Sequence, residues 1–158
     1  MRHCVGKFAV LGLGLVILAW TMAQTSARAA GEERALGDVG ITAIRGCTEI
    51  RVGFNMPVLY LRHFPQAAGH EALIFLHFPG TDAREPSFGL QQETASIPPD
   101  EFPSLTDVVF EGDAPGGPYL SLRFAQEQSF AVRQGEDFRS ISVFIPQPGW
   151  SEPCPPDP

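Results

Sequence analysis

The chain has 158 residues, is 44% hydrophobic and 18% charged, and holds 16 Gly and 15 Pro. That length sets an expectation of one domain. The composition is too apolar for a wholly disordered chain and too rich in Pro and Gly for a helical bundle. Beyond residue 29 there are eight Arg, no Lys and all eighteen Asp and Glu, a balance of −10. Such acidity argues against a nucleic-acid partner or an anionic membrane surface. It suits a soluble all-β protein.

Residues 1–29 read as a secretory signal peptide. Arg2, His3 and Lys7 form a basic start, and Phe8 to Trp20 (FAVLGLGLVILAW) is an apolar run of 13 residues. Ala27-Arg28-Ala29 fits the small-x-small cleavage rule, with Thr21-Met22-Ala23 as a second site. The run is short of the roughly 20 residues that span a bilayer, so a membrane association is expected only if this segment stays uncleaved. The expected location is periplasmic or secreted.

Cys4 would leave with the signal. Cys47 and Cys154 remain, and an even count in an oxidising compartment predicts a disulfide. It would close a long loop, which the chain-entropy model values at about 4–5 kcal/mol. The cysteines and histidines show no paired spacing of the kind a zinc site uses.

Residues 30–35 form a short leader. Asp38 to Ile41 is a strand candidate. Glu49-Ile50-Arg51-Val52-Gly53-Phe54 alternates strictly, with Ile50, Val52 and Phe54 on one face. Asn55-Met56-Pro57 breaks it. Val58 to Phe64 reads as a third strand, Gln66 to His70 as a turn, and Ala72 to Phe78 as a fourth strand. Residues 79–104 hold seven Pro and Gly before Ser104 and read as a linker that crosses the fold.

The pattern then recurs. Leu105, Asp107, Val108 and Phe110 echo Leu36, Asp38, Val39 and Ile41 at a shift of 69. Leu120, Leu122 and Phe124 echo Ile50, Val52 and Phe54 at a shift of 70, as Phe130 echoes Tyr60. Ile141, Val143 and Ile145 echo Leu73, Phe75 and His77 at a shift of 68. Self-similarity over several elements signals an internal repeat, here 36–78 and 105–146. Each half is expected to form a small, mostly antiparallel sheet with one apolar face. Neither buries that face alone, so the two predict an all-β sandwich over 36–146. Residues 147–158 form a Pro-rich tail outside that core.

Asp38-Val39, the Ile50–Phe54 alternation, and Pro57-Val58-x-Tyr60 together resemble the opening of the AMIN domain, a bacterial envelope module. Val109–Phe124 (VFEGDAPGGPYLSLRF) looks like the N-terminal regions of some proteobacterial tetratricopeptide-repeat envelope proteins. The resemblance covers roughly Leu36 to Pro146. It implies a sandwich of two symmetrical four-stranded sheets. It also implies a non-catalytic module that localises its protein by binding peptidoglycan or a wall-associated protein. The chain departs from the family in carrying neither a hydrolase domain nor helical repeats after the Pro-rich tail. A protein-protein adaptor or chaperone-like partner of an envelope complex, pairing through sheet edges, is the alternative.

No nucleophile elbow, phosphate loop or His-Glu-x-x-His motif occurs. No catalysis and no cofactor are expected. His63, His70 and His77 are spaced by seven, which on strands does not bring them together. Asp100-Glu101, Glu111 with Asp113, and Glu136-Asp137 read as solvated turn carboxylates. The candidate ligand-binding residues are Arg51, Arg62 and Arg123, with Arg133 and Arg139 on or beside strands. Arginine on a wet sheet face can hold carboxylates in bidentate fashion.

Overall fold

The computed structural model describes residues 34–80, 90–98 and 101–154. The signal-peptide reading and the last residues of the Pro-rich tail lie outside them.

Nine strands build the fold: β1 (Leu36–Ile44), β2 (Cys47–Phe54), β3 (Leu59–Phe64), β4 (Ala68–His77), β5 (Gln92–Thr94), β6 (Leu105–Glu111), β7 (Tyr119–Ser129), β8 (Ala131–Gln134) and β9 (Ser140–Pro146). They form a four-stranded sheet, β1-β2-β9-β8, and a five-stranded sheet, β3-β4-β7-β6-β5. Every pairing is antiparallel. The all-β sandwich expected from alternation is the observed architecture.

The halves do not each make their own sheet, which corrects the sequence reading. β1 and β2 join β9 and β8, while β3 and β4 join β7, β6 and β5. The cause lies at Asn55–Val58. Pro57 has no N–H to continue a ladder, and the buried Val58 carries the chain across the core to the other sheet. Phe130 does the same between β7 and β8. Exchanging β1 with β6, β2 with β7, β3 with β8 and β4 with β9 converts one sheet order into the other, apart from β5.

The register makes that correspondence concrete. Leu36 faces Phe54 and Leu105 faces Phe124, and an irregularity follows each leucine, between Leu36 and Val39 and between Leu105 and Asp107. Val39 and Val108 then sit opposite Val52 and Leu122. In the last strands the sequence reading is out of phase. Ile50 pairs with Val143, and its counterpart Leu120 pairs with Ile74. Ile141, Val143 and Ile145 therefore correspond to Ala72, Ile74 and Leu76. Those are the buried residues of β4, and one step of slip moves a strand to its other face.

The core lies between the inner faces: Ile50, Val52, Ile141 and Val143 from one sheet, Ala72, Ile74, Val108, Leu120 and Leu122 from the other, all fully buried. Aromatic groups close its two ends. Phe54, Phe78 and Phe110 stack edge-on, with centroids 5.5–5.7 Å apart. Phe124, Phe130 and His63 line the other end, at 6.2 and 6.0 Å. Edge-to-face rings favour such spacing.

Part of the expected linker is strand β5, which pairs with β6 through Glu93 opposite Phe110. The Glu93 carboxylate accepts hydrogen bonds from the backbone N–H of Ala35 and Leu36 and from Arg34. One side-chain group thereby ties the five-stranded sheet to the start of β1.

The tail is also less detached than the sequence suggests. Cys47 and Cys154 form a disulfide with Cα atoms 6.1 Å apart. Gln147 N–H donates to the Gly46 carbonyl, and a Cβ at Gly46 would overlap the Trp150 indole. Gly46, at φ 78°, closes the β1–β2 turn in a conformation that suits glycine.

Candidate functional site

Strand parity decides which side chains reach solvent. On β2, Ile50, Val52 and Phe54 point inward, so Cys47, Glu49 and Arg51 share the outer face of the four-stranded sheet. The disulfide therefore anchors residues 147–154 on that face. On β7, Leu120, Leu122 and Phe124 point inward, which leaves Tyr119, Ser121 and Arg123 on the outer face of the five-stranded sheet. Arg51 and Arg123 thus lie on opposite sides of the sandwich and cannot act as one site.

Each is also engaged by carboxylates of its own chain. Arg51 pairs with Asp137 at 2.5 Å. Arg123 pairs with Glu71 at 3.1 Å and reaches Asp107 at 3.8 Å. Ser121 donates to the same Glu71 oxygen at 2.7 Å. That hydroxyl bond, ahead of the Arg123 contact, holds the Glu71 carboxyl below its ordinary range. Asp137 is held low chiefly by the Arg139 backbone N–H, then by the Ser140 hydroxyl. These arginines finish local networks.

Arg62 differs. Among the described residues no carboxylate pairs with it. Its guanidinium lies 4.4 Å from the centroid of the Phe75 ring, a cation–π geometry. Phe75 in turn contacts the Tyr119 ring at 6.0 Å. The register extends this row across the sheet: Arg62 opposite Phe75, Phe75 opposite Tyr119, Tyr119 opposite Glu111, and Glu111 opposite Gln92. The next row runs Phe64, Leu73, Ser121, Val109 and Thr94. The outer face of the five-stranded sheet is therefore aromatic and aliphatic at its β3 side, with a cation beside it.

Three large apolar side chains stand exposed among the described residues: Leu61 at 59%, Phe64 at 65% and Phe138 at 56%. Two lie on the edge strand β3. Leu61 is the extra residue of a bulge, since Tyr60 faces Leu76 and Arg62 already faces Phe75. Phe138 follows β8 at φ 52°, a left-handed conformation that costs a bulky residue free energy. Its carbonyl accepts from Val58 N–H, just before β3. All three thus belong to the side of the sandwich where β3 and β8 meet. Sequence reasoning placed Arg62 there but missed Leu61, Phe64 and Phe138. Apolar residues read as core by default, and only the bulge and the turn reveal otherwise.

The β3 edge is partly protected. The Gln134 side chain accepts from Tyr60 N–H at 2.7 Å and donates to the Val58 carbonyl at 3.1 Å. The Gln66 side chain donates to the His63 carbonyl. Two amides thereby occupy backbone groups that a neighbouring strand would otherwise take. The Val39–Ile44 edge of β1 is different: it carries no charged residue, and no backbone hydrogen bond reaches it from the described residues beyond β2.

His63 is buried, hydrogen-bonded to Tyr60 Oη at 2.6 Å and to the Gln66 carbonyl at 3.1 Å. His77 and His70 are exposed on β4. Among the described residues no group of three His, Cys, Asp or Glu is placed to hold a metal ion. Among those residues, too, no helix is long and apolar enough to cross a membrane. No family model, curated protein or solved structure matches the chain.

Proposed function

We propose that the chain is a non-catalytic module of a bacterial cell envelope. It is exported by its N-terminal segment and holds itself or its complex in place by binding a wall-associated protein. The supporting observation is the β3 side of the sandwich, where Leu61 and Phe64 are exposed on the strand that carries an arginine with no carboxylate partner among the described residues, and Phe138 is exposed at the turn bonded to Val58 just before that strand. Exposed aromatic residues with arginine are the composition of interface hot spots. The same observation favours a protein over peptidoglycan as the target. Arg51 and Arg123, the best-placed groups for muropeptide carboxylates, already hold Asp137, Glu71 and Asp107.

Photo-crosslinking from positions on both outer faces, in the native envelope, tests this reading. A discrete protein adduct is the expected outcome. Saturable co-sedimentation with purified sacculi and no protein adduct would move the target to peptidoglycan. The absence of both signals would overturn the reading.

A second reading rests on β1. Its uncharged Val39–Ile44 edge is a template for strand addition by a partner protein. Ala43 lies opposite Thr48, between the hydrogen-bonded pairs of the hairpin, so its N–H faces the open edge. Ala43→Pro would block such pairing, and the loss of an adduct from β1 alone would support this mode.

A further inference from the structure

We infer that the β3 side of the five-stranded sheet docks an extended, acidic segment of a partner protein, with apolar residues alternating with Asp or Glu. This inference rests on the binding-module reading and names the site and the chemistry of its occupant. The surface is continuous in register: Phe64 beside Leu73 in one row, Arg62 beside Phe75 and Tyr119 in the next, with Leu61 extruded by the bulge. Phe64 and Leu61 supply exposed apolar area at the rim, and the half-buried Leu73, Phe75 and Tyr119 supply a floor.

Charge complementarity selects the occupant. The chain carries a net charge of −7, yet no carboxylate among the described residues pairs with the cation at this rim. The acidic groups that share the face are engaged elsewhere. Glu71 is held by Ser121 and Arg123, Asp107 faces Arg123, and Glu111 takes the Gln92 amide at 2.6 Å. A carboxylate arriving over Phe75 would meet a guanidinium already positioned on the ring, and a guanidinium suits bidentate hydrogen bonding to a carboxylate.

A second copy of this chain fits poorly. Pairing β3 with its own copy would bring two Arg62 groups onto one seam, and like charges directly opposite are unfavourable. Backbone pairing is also restricted, because Gln134 and Gln66 already occupy Val58, Tyr60 and His63 groups. Recognition at this site therefore runs through side chains, and a moderate, salt-sensitive affinity is expected.

The test uses short fluorescein-labelled peptides in which Leu and Phe alternate with Glu, Gln or Lys, titrated with the protein in fluorescence anisotropy. The Glu peptide should bind about tenfold or more tightly than the Lys peptide, with the difference shrinking as salt rises. Arg62→Gln should remove the preference for Glu, and Phe64→Ser should weaken all the peptides about tenfold or more. Arg123→Gln, on the same face but outside the site, should leave affinity close to that of the parent. Thermal melts establish that each variant is folded. Phe64→Ser is a surface change, and Leu61→Ser serves in its place if it fails to fold.

Equal binding of Glu and Lys peptides, or a Glu preference that survives Arg62→Gln, overturns the inference. So does self-association in sedimentation that Phe64→Ser abolishes, which would make a second copy the occupant. If peptides fail while crosslinks from β1 still capture a protein, this site falls and the binding-module reading stands. If both fail, both fall.

Discussion

Cys47 and Cys154 are joined across 107 residues, with Cα atoms 6.1 Å apart. The bond fixes the tail to the second strand of the hairpin β1–β2. Trp150 reinforces the attachment by covering Gly46. In the chain-entropy model a loop of that length contributes about 4–5 kcal/mol. Cys154→Ser should lower stability to unfolding by about 2–5 kcal/mol, and a reducing agent should lower the parent to the same midpoint. Thiol labelling of exported, denatured, non-reduced protein should find neither cysteine reactive. Equal urea midpoints with and without reductant would refute this prediction.

Gly46 gives an independent measure of the same junction. Its φ of 78° disfavours a side chain, and an added Cβ would overlap the indole of Trp150. Gly46→Ala should destabilise by about 1–3 kcal/mol, through strain and displacement of the ring. The double variant Gly46→Ala with Trp150→Ala should lose less than the two single changes summed, because the clash disappears with the indole. Additivity would mean that the Trp150 indole does not pack on Gly46.

Alternation made the fold class legible. Ile50, Val52 and Phe54, and again Leu120, Leu122 and Phe124, point inward as their spacing requires. The pairing of strands was less legible, because alternation reports a face and not a neighbour. Pro57 marked the end of β2 but not the crossing to the other sheet. In β4 every residue from Ala72 to Leu76 is apolar, so the run carries no phase. Its inward set, Ala72, Ile74 and Leu76, emerges only from the register against β7. The site was half legible. Arg62 looked equivalent to Arg51 and Arg123, and only the positions of Glu71, Asp107 and Asp137 separate them.

Acid should weaken the fold through Glu71 and Asp137. Ser121 holds the Glu71 carboxyl low, and the Arg139 backbone N–H does the same for Asp137. A depressed folded-state pKa stabilises above the unfolded value, near 4 for carboxylates, and the gain is lost as pH falls through the folded value. Stability from these groups is therefore complete at neutral pH and declines below about pH 4. Both groups are largely solvated, so each effect is modest. Glu71→Gln should flatten the acid limb of urea midpoints measured from about pH 6 to about pH 2.5. An unchanged limb would show that the Ser121–Glu71–Arg123 network does not favour the ionised form.

Gln134 protects the β3 edge by bonding Tyr60 N–H and the Val58 carbonyl, and it also donates to the Ser140 carbonyl at 3.2 Å. Removing the amide leaves these part-buried groups to water or to nothing. Gln134→Ala should cost about 1–3 kcal/mol if they stay dry. It should also speed hydrogen exchange more at the Tyr60 amide than at the Ile74 amide in the core, which follows only the loss of global stability. The same change opens an edge strand that already exposes Leu61 and Phe64, so the variant should self-associate at concentrations where the parent does not. A variant that keeps slow Tyr60 exchange would show that another group protects this edge.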